Sequence, residues 1–414
     1  MKNSNILISG ASIGGPALAY WLARHGFNVT VVEKSPVLRP GGQAVDFKGE
    51  THRLVLERTG ILREVSRRQT GGTDQQIVDA GGRELAVIPG SFTGGDLEIE
   101  RGDLSRILYD ISVAAGARYV FGDSITSLTE TESGVHVTFE RGAPRTYDLV
   151  VGADGIHSNV RRLAFGPESD YVTHLGHYYA LADLPERFDG PARMYNEPGR
   201  MIASGGPKAG ALFVFAAGEL SFDRHSAEDM KRVLVEAYRG MGWRGTEIVA
   251  AAEDVYLDSI SHVRLDHYAK GRVALIGDAA YGNTLGGFGT GLAMVAAYVL
   301  AGELAAAGGE YRAAYQAYED AFLGYAKIAR TGNAGSFLAP TTRRGIRMRN
   351  WIFKYRFLLR AMKKIGDRAA TDIELKDYPS PEPPPDSRSA SAITSRTNSA
   401  ASPGRTSAGG PPRQ

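Results

Sequence analysis

The chain contains no cysteine in its 414 residues. This excludes disulfides, thiolate metal sites, iron–sulfur clusters and a cysteine nucleophile. An excess of charge of one sign is also missing. Lys and Arg total 48 against 46 Asp and Glu, a formal net charge of +2, so no bulk field marks a polyanion or nucleic-acid binder. Long hydrophobic runs are scarce. The longest, Leu292 to Ala307, is interrupted by Glu303 and falls short of the roughly 20 residues a bilayer-crossing helix needs, so stable membrane insertion is not expected. Met1 runs almost directly into Ile6-Leu7-Ile8, which leaves no room for a secretory leader, and a cytoplasmic protein is expected. His52, His157, His174, His177, His225, His262 and His267 show no H-x-x-x-H spacing and no partner cluster, so no metal is expected.

Glycine, by contrast, is plentiful, and its placement is informative. Ile6-Leu7-Ile8 reads as a strand, Gly10-Ala11-Ser12-Ile13-Gly14-Gly15 as a turn, Ala17 to His25 as a helix stopped by Gly26, and Val29 to Val32 as a second strand ending at Glu33. That is one βαβ unit. From about Thr73 to Leu97 the pattern changes to short alternating strands, and Glu100 to Gly116 returns to helix. Tyr119 to Phe121 and Val135 to Phe139 read as strands around a polar hairpin. Strands dominate again from Ala180 to Leu257, with one helix near Ala227 to Met241. Arg272 to Ile276 is a buried strand, and Thr290 to Ala307 a long apolar helix. Parallel α/β pieces interleaved with antiparallel ones imply a discontinuous nucleotide domain carrying a β-rich insertion. From Pro379 the Pro/Ser/Ala/Arg-rich sequence cannot bury enough surface to fold, so disorder is expected over 379–414.

The turn Gly10 to Gly15 is G-x-S-x-G-G, a near match to the dinucleotide fingerprint G-x-G-x-x-G, with Ser12 at the second glycine. The first glycine makes the turn, the second admits a pyrophosphate to the backbone, and the third lets helix and strand pack. The helix N-terminus then offers N–H groups to phosphate. Glu33, at the end of the second strand, is placed to accept from ribose hydroxyls.

Three further segments resemble the single-component FAD-dependent aromatic hydroxylases typified by p-hydroxybenzoate hydroxylase. Glu100-Arg101-Gly102-Asp103-Leu104-Ser105 is similar to the family's arginine-bearing helix start. Gly152-Ala153-Asp154-Gly155-Ile156-His157-Ser158-Asn159-Val160-Arg161 resembles its Asp-Gly motif, implicated in both FAD and NAD(P)H binding. Gly277-Asp278-Ala279-Ala280 resembles its second FAD motif, followed by Gly286-Gly287-Phe288-Gly289-Thr290-Gly291. The chain looks closest to the branch acting on polyketides and tetracyclines. There an acidic residue, here Asp46, also faces FAD, and an arginine, here Arg39, contacts nicotinamide. The resemblance implies an α/β fold: a Rossmann-like FAD-binding domain (1–72, 98–165 and 268–318), an inserted antiparallel β-rich substrate domain (73–97 and 166–267), and a C-terminal helical segment (319–378).

The cofactor-binding set implied is Gly10, Ser12, Ile13, Gly14, Gly15, Glu33, Lys34, Asp46, Arg101, Asp154, Gly277, Asp278, Gly287, Phe288, Gly289, Thr290 and Gly291. Arg39, Asp154 and Arg161 are the NAD(P)H candidates. The activity implied is hydroxylation of an aromatic or polycyclic small molecule with O2 and NAD(P)H, through a flavin C4a-hydroperoxide on non-covalent FAD. The flavin carries the hard step, so no catalytic acid or base is named. The alternative is an oxidoreductase or dehydrogenase of the same fold that inserts no oxygen. A flavin-binding sensor without turnover is the reading from another class.

Met194, Tyr195, Phe213, Phe215, His262 and Tyr281 are the substrate candidates, each with a core-packing alternative. Tyr281 stands where the family has histidine, and the loop Gly282 to Gly287 lacks the family's proline. A glycine-rich, proline-free loop implies more conformational freedom and looser gating, with Leu285 as the position for a restored proline. Arg343 to Arg368 holds ten Lys/Arg and a single acid, Asp367, with Trp351, Ile352, Tyr355, Leu358, Leu359, Met362 and Ile365 at helical spacing. This reads either as a membrane-surface helix or, the preferred reading, as a helix packed on the protein with a solvated basic face.

Overall fold

The Ile6-Leu7-Ile8 run ends as a strand because Gly10 follows with φ +103°, a conformation side chains resist. In the computed structural model the described residues are 2–378, except 40, 42, 91–94, 186–187, 189, 207–209, 331, 356–357 and 360–372. The expected disordered tail, and Met362 and Ile365 of the C-terminal stripe, lie outside them.

In chain order the elements begin β1 (Asn5–Ser9), α1 (Gly14–Arg24), β2 (Asn28–Glu33), β3 (Ala44–Phe47), α2 (Gly49–Thr59), α3 (Leu62–Arg67), β4 (Gln75–Val78), β5 (Glu84–Ile88) and β6 (Leu97–Glu100). Next come α4 (Arg101–Ala114), β7 (Arg118–Phe121), β8 (Ile125–Glu130), β9 (Val135–Phe139), β10 (Arg145–Tyr147), β11 (Leu149–Gly152), α5 (Asn159–Ala164), β12 (Val172–Asp183), β13 (Arg193–Glu197), β14 (Arg200–Ser204) and β15 (Ala211–Ala216). Then follow α6 (Ala227–Ala237), α7 (Gly245–Ala251), β16 (Glu253–Val263), β17 (Ala269–Lys270), β18 (Val273–Leu275), α8 (Asp278–Tyr281), α9 (Gly289–Ala306), α10 (Tyr311–Ala326), α11 (Ala334–Leu338) and α12 (Arg343–Phe353).

A six-stranded sheet runs β17-β18-β11-β1-β2-β7 and is parallel except at β17. Ile6, Leu7, Ile8 and Leu149 to Val151 are fully buried, as strands covered on both faces must be. Helix α9 is apolar all the way round and is buried from Gly291 to Glu303 against α1, α2 and α10. Among the described residues it alone is long and apolar enough to cross a membrane, and it is the central helix of this core. The polar hairpin places differently from expectation. Tyr119 to Phe121 lies in β7 at the edge of the parallel sheet, and the partner of β9 is β8, a strand whose sequence Ile-Thr-Ser-Leu-Thr-Glu carries almost no apolar alternation.

A seven-stranded sheet runs β16-β12-β15-β14-β13-β4-β5, antiparallel except between β13 and β4. Its two faces carry separate cores. One packs Tyr178, Tyr195, Phe213 and Phe215 against Met230, Val233 and Leu234 of α6 and Ile248 and Val249 of α7. The other carries Tyr179, Met194, Met201, Val214 and Ile260, with Ala339, Phe353 and Leu359 packed on part of it.

Helix α12 is held there by a buried cation. Arg349 donates to the carbonyls of Phe337 (3.2 Å) and Leu338 (2.8 Å) and to Asn196 Oδ1 (2.6 Å) on β13. Burial lowers its pKa to about 10, so the guanidinium stays charged at neutral pH and depends on those acceptors. Hydrogen bonds to a charged group contribute about 1.5–3 kcal/mol each, and a methionine would recover part of that by apolar burial. Arg349→Met is therefore expected to lower stability by about 2–4 kcal/mol, read from the shift of the urea midpoint. An unchanged midpoint would mean that Phe353 and Leu359 hold the helix by themselves.

Candidate functional site

Three chain turns meet at the C-terminal end of the parallel sheet. A Cβ on Gly10 would lie 2.5 Å from the Ala153 carbonyl oxygen, and one on Gly15 would lie 1.9 Å from the Gly10 oxygen. Helix α1 therefore rests directly on the turn. A Cβ on Gly14 would meet Ile276 at 3.4 Å and Ala293 at 3.6 Å, so the starts of α1 and α9 and the end of β18 converge. Neither α1 nor α9 has a side-chain cap or an acidic residue in its first turn; Ile13 and Phe288 occupy their N-cap positions. Both helix ends keep N–H groups and partial positive charge available for another acceptor.

The serine in the fingerprint has a partner. Arg101, at the start of α4, donates through Nε (3.1 Å) and Nη2 (2.8 Å) to Ser12 Oγ. Glu33 accepts from Ala11 N–H (2.8 Å) and Ser35 N–H (2.9 Å), which ties the end of β2 to the turn. Lys34 and Arg39 are exposed on the chain leaving β2.

Asp278 is exposed to solvent, yet the protein around it desolvates the carboxyl and pushes its pKa upward, with the Arg101 charge pulling it down. A carboxylate both reachable and desolvated lines a cleft rather than an outer surface. Its Oδ1 lies 3.2 Å from where a Cβ on Gly289 would stand. Gly277, with φ +63°, turns the chain into α8. Near the start of α9, Lys48 Nζ pairs with Asp46 Oδ2 (3.2 Å) and sits 5.0 Å from the centroid of the Phe288 ring. A Cβ on Gly287 would lie 2.8 Å from that ammonium. The His52 ring fills the space beside Gly291, where a Cβ would fall 2.1 Å from Cε1. Burial, helped by Lys48, lowers the His52 pKa to about 4. The neutral ring accepts from Lys48 N–H at Nδ1 (3.0 Å) and faces the Tyr325 hydroxyl at Nε2 (3.1 Å). Thr290 follows in the first turn of α9. Lys48 and His52 had no motif to mark them in the sequence.

Several expected residues serve the scaffold. The Asp154 carboxylate accepts from Asn159 N–H and Val160 N–H, both at 3.0 Å, and from the Ser158 hydroxyl, so it caps α5; burial pushes its pKa up against those bonds. Arg161 is fully buried and donates to Ala279 O (2.9 Å) and Ile156 O (2.6 Å), which fastens the Asp-Gly turn to α8. Tyr281 is buried. Its hydroxyl accepts from Gly277 N–H (2.8 Å) and donates to Leu292 O (3.4 Å), so it packs beneath the cleft. Tyr195, Phe213 and Phe215 face α6 and α7, on the side of the seven-stranded sheet away from Leu285 and the post-Asp278 loop. Met194 is on the Leu285 side and buried, and His262 is bridged to Asn283 of that loop.

The expectation of a loose loop is corrected. Val263 N–H donates to Gly282 O (2.7 Å) and Thr284 N–H to Ser261 O (3.0 Å), so the loop is pinned to β16. Leu285 stands at φ +59°, in a turn closed by Gly286 N–H to Asn283 O (3.0 Å). Proline fixes φ near −65° and cannot occupy that position.

The cleft also has a polar wall that sequence reading missed. Tyr256 donates to Asp258 Oδ2 (3.0 Å). Asp258 Oδ1 is 3.0 Å from His157 Nε2, and His157 Nδ1 is 3.0 Å from Glu168 Oε1. Arg161 and Arg224 each stand 3.8 Å from Glu168. Tyr256 is 43% exposed, yet desolvation, and then the Asp258 charge, raise its pKa to about 12. Tyr179 lies beside Tyr256, with ring centroids 5.9 Å apart. The available signal was parity: Tyr256 and Asp258 alternate with buried Val255 and Leu257 on β16.

Burial works against a charged His157, but the hydrogen bonds to Asp258 and Glu168 outweigh it and raise the pKa above 6.5. The folded protein thus holds this proton more tightly than the unfolded chain. The stabilisation is fully present below 6.5 and is lost as pH rises through the folded value. Glu168, through its bond to His157, is held below its ordinary value and gives the opposite slope only in acid. Unfolding free energy of wild type minus that of His157→Gln is expected to fall as pH is raised from mildly acidic to mildly alkaline. A difference independent of pH would show that the imidazole is neutral.

A family model described as FAD binding domain matches residues 3–321. An uncharacterized protein of Mycobacterium tuberculosis is 40% identical over 339 residues, spanning 77% of this chain and 90% of that protein. A flavin-dependent monooxygenase of Legionella longbeachae is 35% identical over 331 residues, spanning 77% and 84%. Among solved structures, the tetracycline destructase Tet(51) superposes with a TM-score of 0.76 at 29% identity, covering 92% of this chain and all of that one. With its glycine turn, Asp278 and the two uncapped helix starts inside the matched span, the chain belongs to the FAD binding domain family, among its flavin-dependent monooxygenases.

Proposed function

We propose that this FAD-dependent monooxygenase uses NAD(P)H and O2 to hydroxylate an aromatic or polycyclic small molecule. The observation carrying the reading is the convergence of two uncapped helix starts on the glycine turn, where Arg101 donates to Ser12 Oγ (2.8 Å). Asp278 stands beside that convergence, its Oδ1 3.2 Å from where a Cβ on Gly289 would lie. The likeness to Tet(51), a tetracycline destructase, supports a polycyclic substrate.

The residues present fit FAD. A turn with no room for a Cβ at Gly10 or Gly15, two uncapped helix starts, and carboxylates at Glu33 and Asp278 suit an anionic dinucleotide with sugar and ribityl hydroxyls. Gly10, Ser12, Ile13, Gly14 and Gly15 take the pyrophosphate, with Arg101 beside it. Glu33 keeps lone pairs for ribose, with Lys34 next to it. Asp278 serves the ribityl chain, and the α9 start from Gly287 to Gly291, flanked by Asp46 and Lys48, meets the ring. Flavin, when bound, supplies the redox and oxygen-transfer chemistry. The protein's share is to bind, to orient and to keep water from the reacting face. Arg39, exposed beyond β2, is assigned to the nicotinamide cosubstrate. Asp154 and Arg161 act by holding the 152–161 turn in place. Tyr256, 43% exposed, presents its hydroxyl group to the substrate.

Two experiments test this reading. Asp278→Ala is expected to weaken FAD binding about tenfold or more, and Asp278→Asn less, since an amide keeps part of a hydrogen bond worth about 1.5–3 kcal/mol. Flavin fluorescence titration measures both, and equal losses would make Asp278 a structural residue. Second, a panel of aromatic polyketides including tetracycline should contain a compound that stimulates NAD(P)H oxidation and acquires label from isotopic O2. Stimulated oxidation with an altered but unlabelled product would identify a non-inserting oxidoreductase instead.

A further inference from the structure

Helix α12 has two different faces. Arg349, Asn350 and Phe353 are buried against the seven-stranded sheet and its flank. The opposite face presents Met348, 65% exposed, and Trp351, 53% exposed, with Tyr355 just past the helix end. Eleven large hydrophobic side chains are exposed among the described residues, and these three fall within eight positions of one another, so they form a patch rather than the usual scatter. The Trp351 and Tyr355 rings stand edge to face at 4.8 Å. Around them Arg343, Arg344, Arg347 and Lys354 are exposed, and none has an ion pair among the described residues. The sequence supplies no Asp or Glu anywhere between Asp320 and Asp367.

We infer that this face of α12 docks the enzyme peripherally on an anionic phospholipid surface. The exposed aromatic pair and methionine match the headgroup–acyl boundary, where tryptophan and tyrosine are favoured. The flanking cations match lipid phosphates and can extend their stems to reach them. Shape favours a bilayer over a folded partner. Among the described residues the face is carried by one helix, and a fluid lipid surface closes around a single helix without a complementary mould. Charge disfavours a second copy, because a two-fold pairing of this face would oppose four cations to four. The buried side, anchored by Arg349, fixes the helix on the body of the protein, so no ordering of the segment is needed on docking.

The test uses the full-length FAD-loaded protein and two vesicle types: pure phosphatidylcholine, and phosphatidylcholine with a third phosphatidylglycerol. Wild type is expected to co-sediment with the anionic vesicles, less so at high salt, and to stay in solution with the neutral ones. Tryptophan emission should shift to the blue on binding and be quenched by brominated acyl chains. Trp21 is buried and Trp243 is packed against the core on the other face of the sheet, so the part of the signal lost in Trp351→Ala reports Trp351. Arg343→Glu with Arg347→Glu should reduce binding at least 25-fold, taking about fivefold per charge. Trp351→Ala should abolish the spectral shift, with flavin content and unfolding midpoint unchanged in both variants. Wild type that ignores anionic vesicles overturns the inference. So does binding that survives the double charge reversal, or a concentration-dependent dimer that Trp351→Ala abolishes while vesicles have no effect.

Discussion

The rest of the architecture depends on one steric constraint, the seating of α1 on the turn after β1. A methyl group at Gly15 would stand 1.9 Å from the Gly10 oxygen, inside any allowed contact, so only glycine lets the helix lie this low. That seating brings the first turn of α1 level with the end of β18 and with Ala293 in α9. Two helix starts and a strand end then share one mouth. Each start lacks a side-chain cap, so its N–H groups remain for a bound anion. Raising α1 by the height of a methyl group would separate these ends while leaving every strand pairing intact.

A second constraint joins the two sheets. The Asp-Gly turn reads in sequence as a cofactor motif, but its side chains mostly hold protein to protein. Asp154 caps α5, Arg161 reaches the Ala279 carbonyl beneath α8, and His157 meets Asp258 on β16. One ten-residue segment thereby fixes α8, which carries Asp278, and the edge strand of the seven-stranded sheet, which carries Tyr256. The distance between cofactor side and substrate side is thus set by buried polar contacts. Buried polar contacts are specific in geometry and expensive to leave unmade.

Legibility in the sequence followed the range of the physical cause. The βαβ unit, the glycine turn and the neighbourhood of Asp278 are local. Their residues were readable because glycine, carboxylate and apolar run each answer to a backbone condition within a few positions. Ser12 was readable as a departure but not as an acceptor for Arg101, since that partner lies 89 residues away. Facing was least readable. Phe213 and Phe215 attracted attention by size, yet strand period places them against α6 and α7, and the neighbours of opposite parity face the other way. Strand β8 escaped because both of its faces are largely polar. Leu285 carried no sign of its positive φ, because leucine seldom adopts one and no sequence rule anticipates it.

The polar ladder on β16 gives the cleft a direction as well as a wall. His157, flanked by two carboxylates, favours its protonated form and holds Asp258 ionised. An ionised Asp258 can only accept, so the Tyr256 hydroxyl must turn its proton towards it. The Tyr256 hydroxyl is therefore oriented by the charge pair behind it. The ladder thus fixes a row of polar groups along the edge strand of the seven-stranded sheet, with Tyr256, 43% exposed, at its end. It originates in buried residues on neither the glycine turn nor the helix starts, which is why the motifs that mark the cofactor say so little about what lies opposite it.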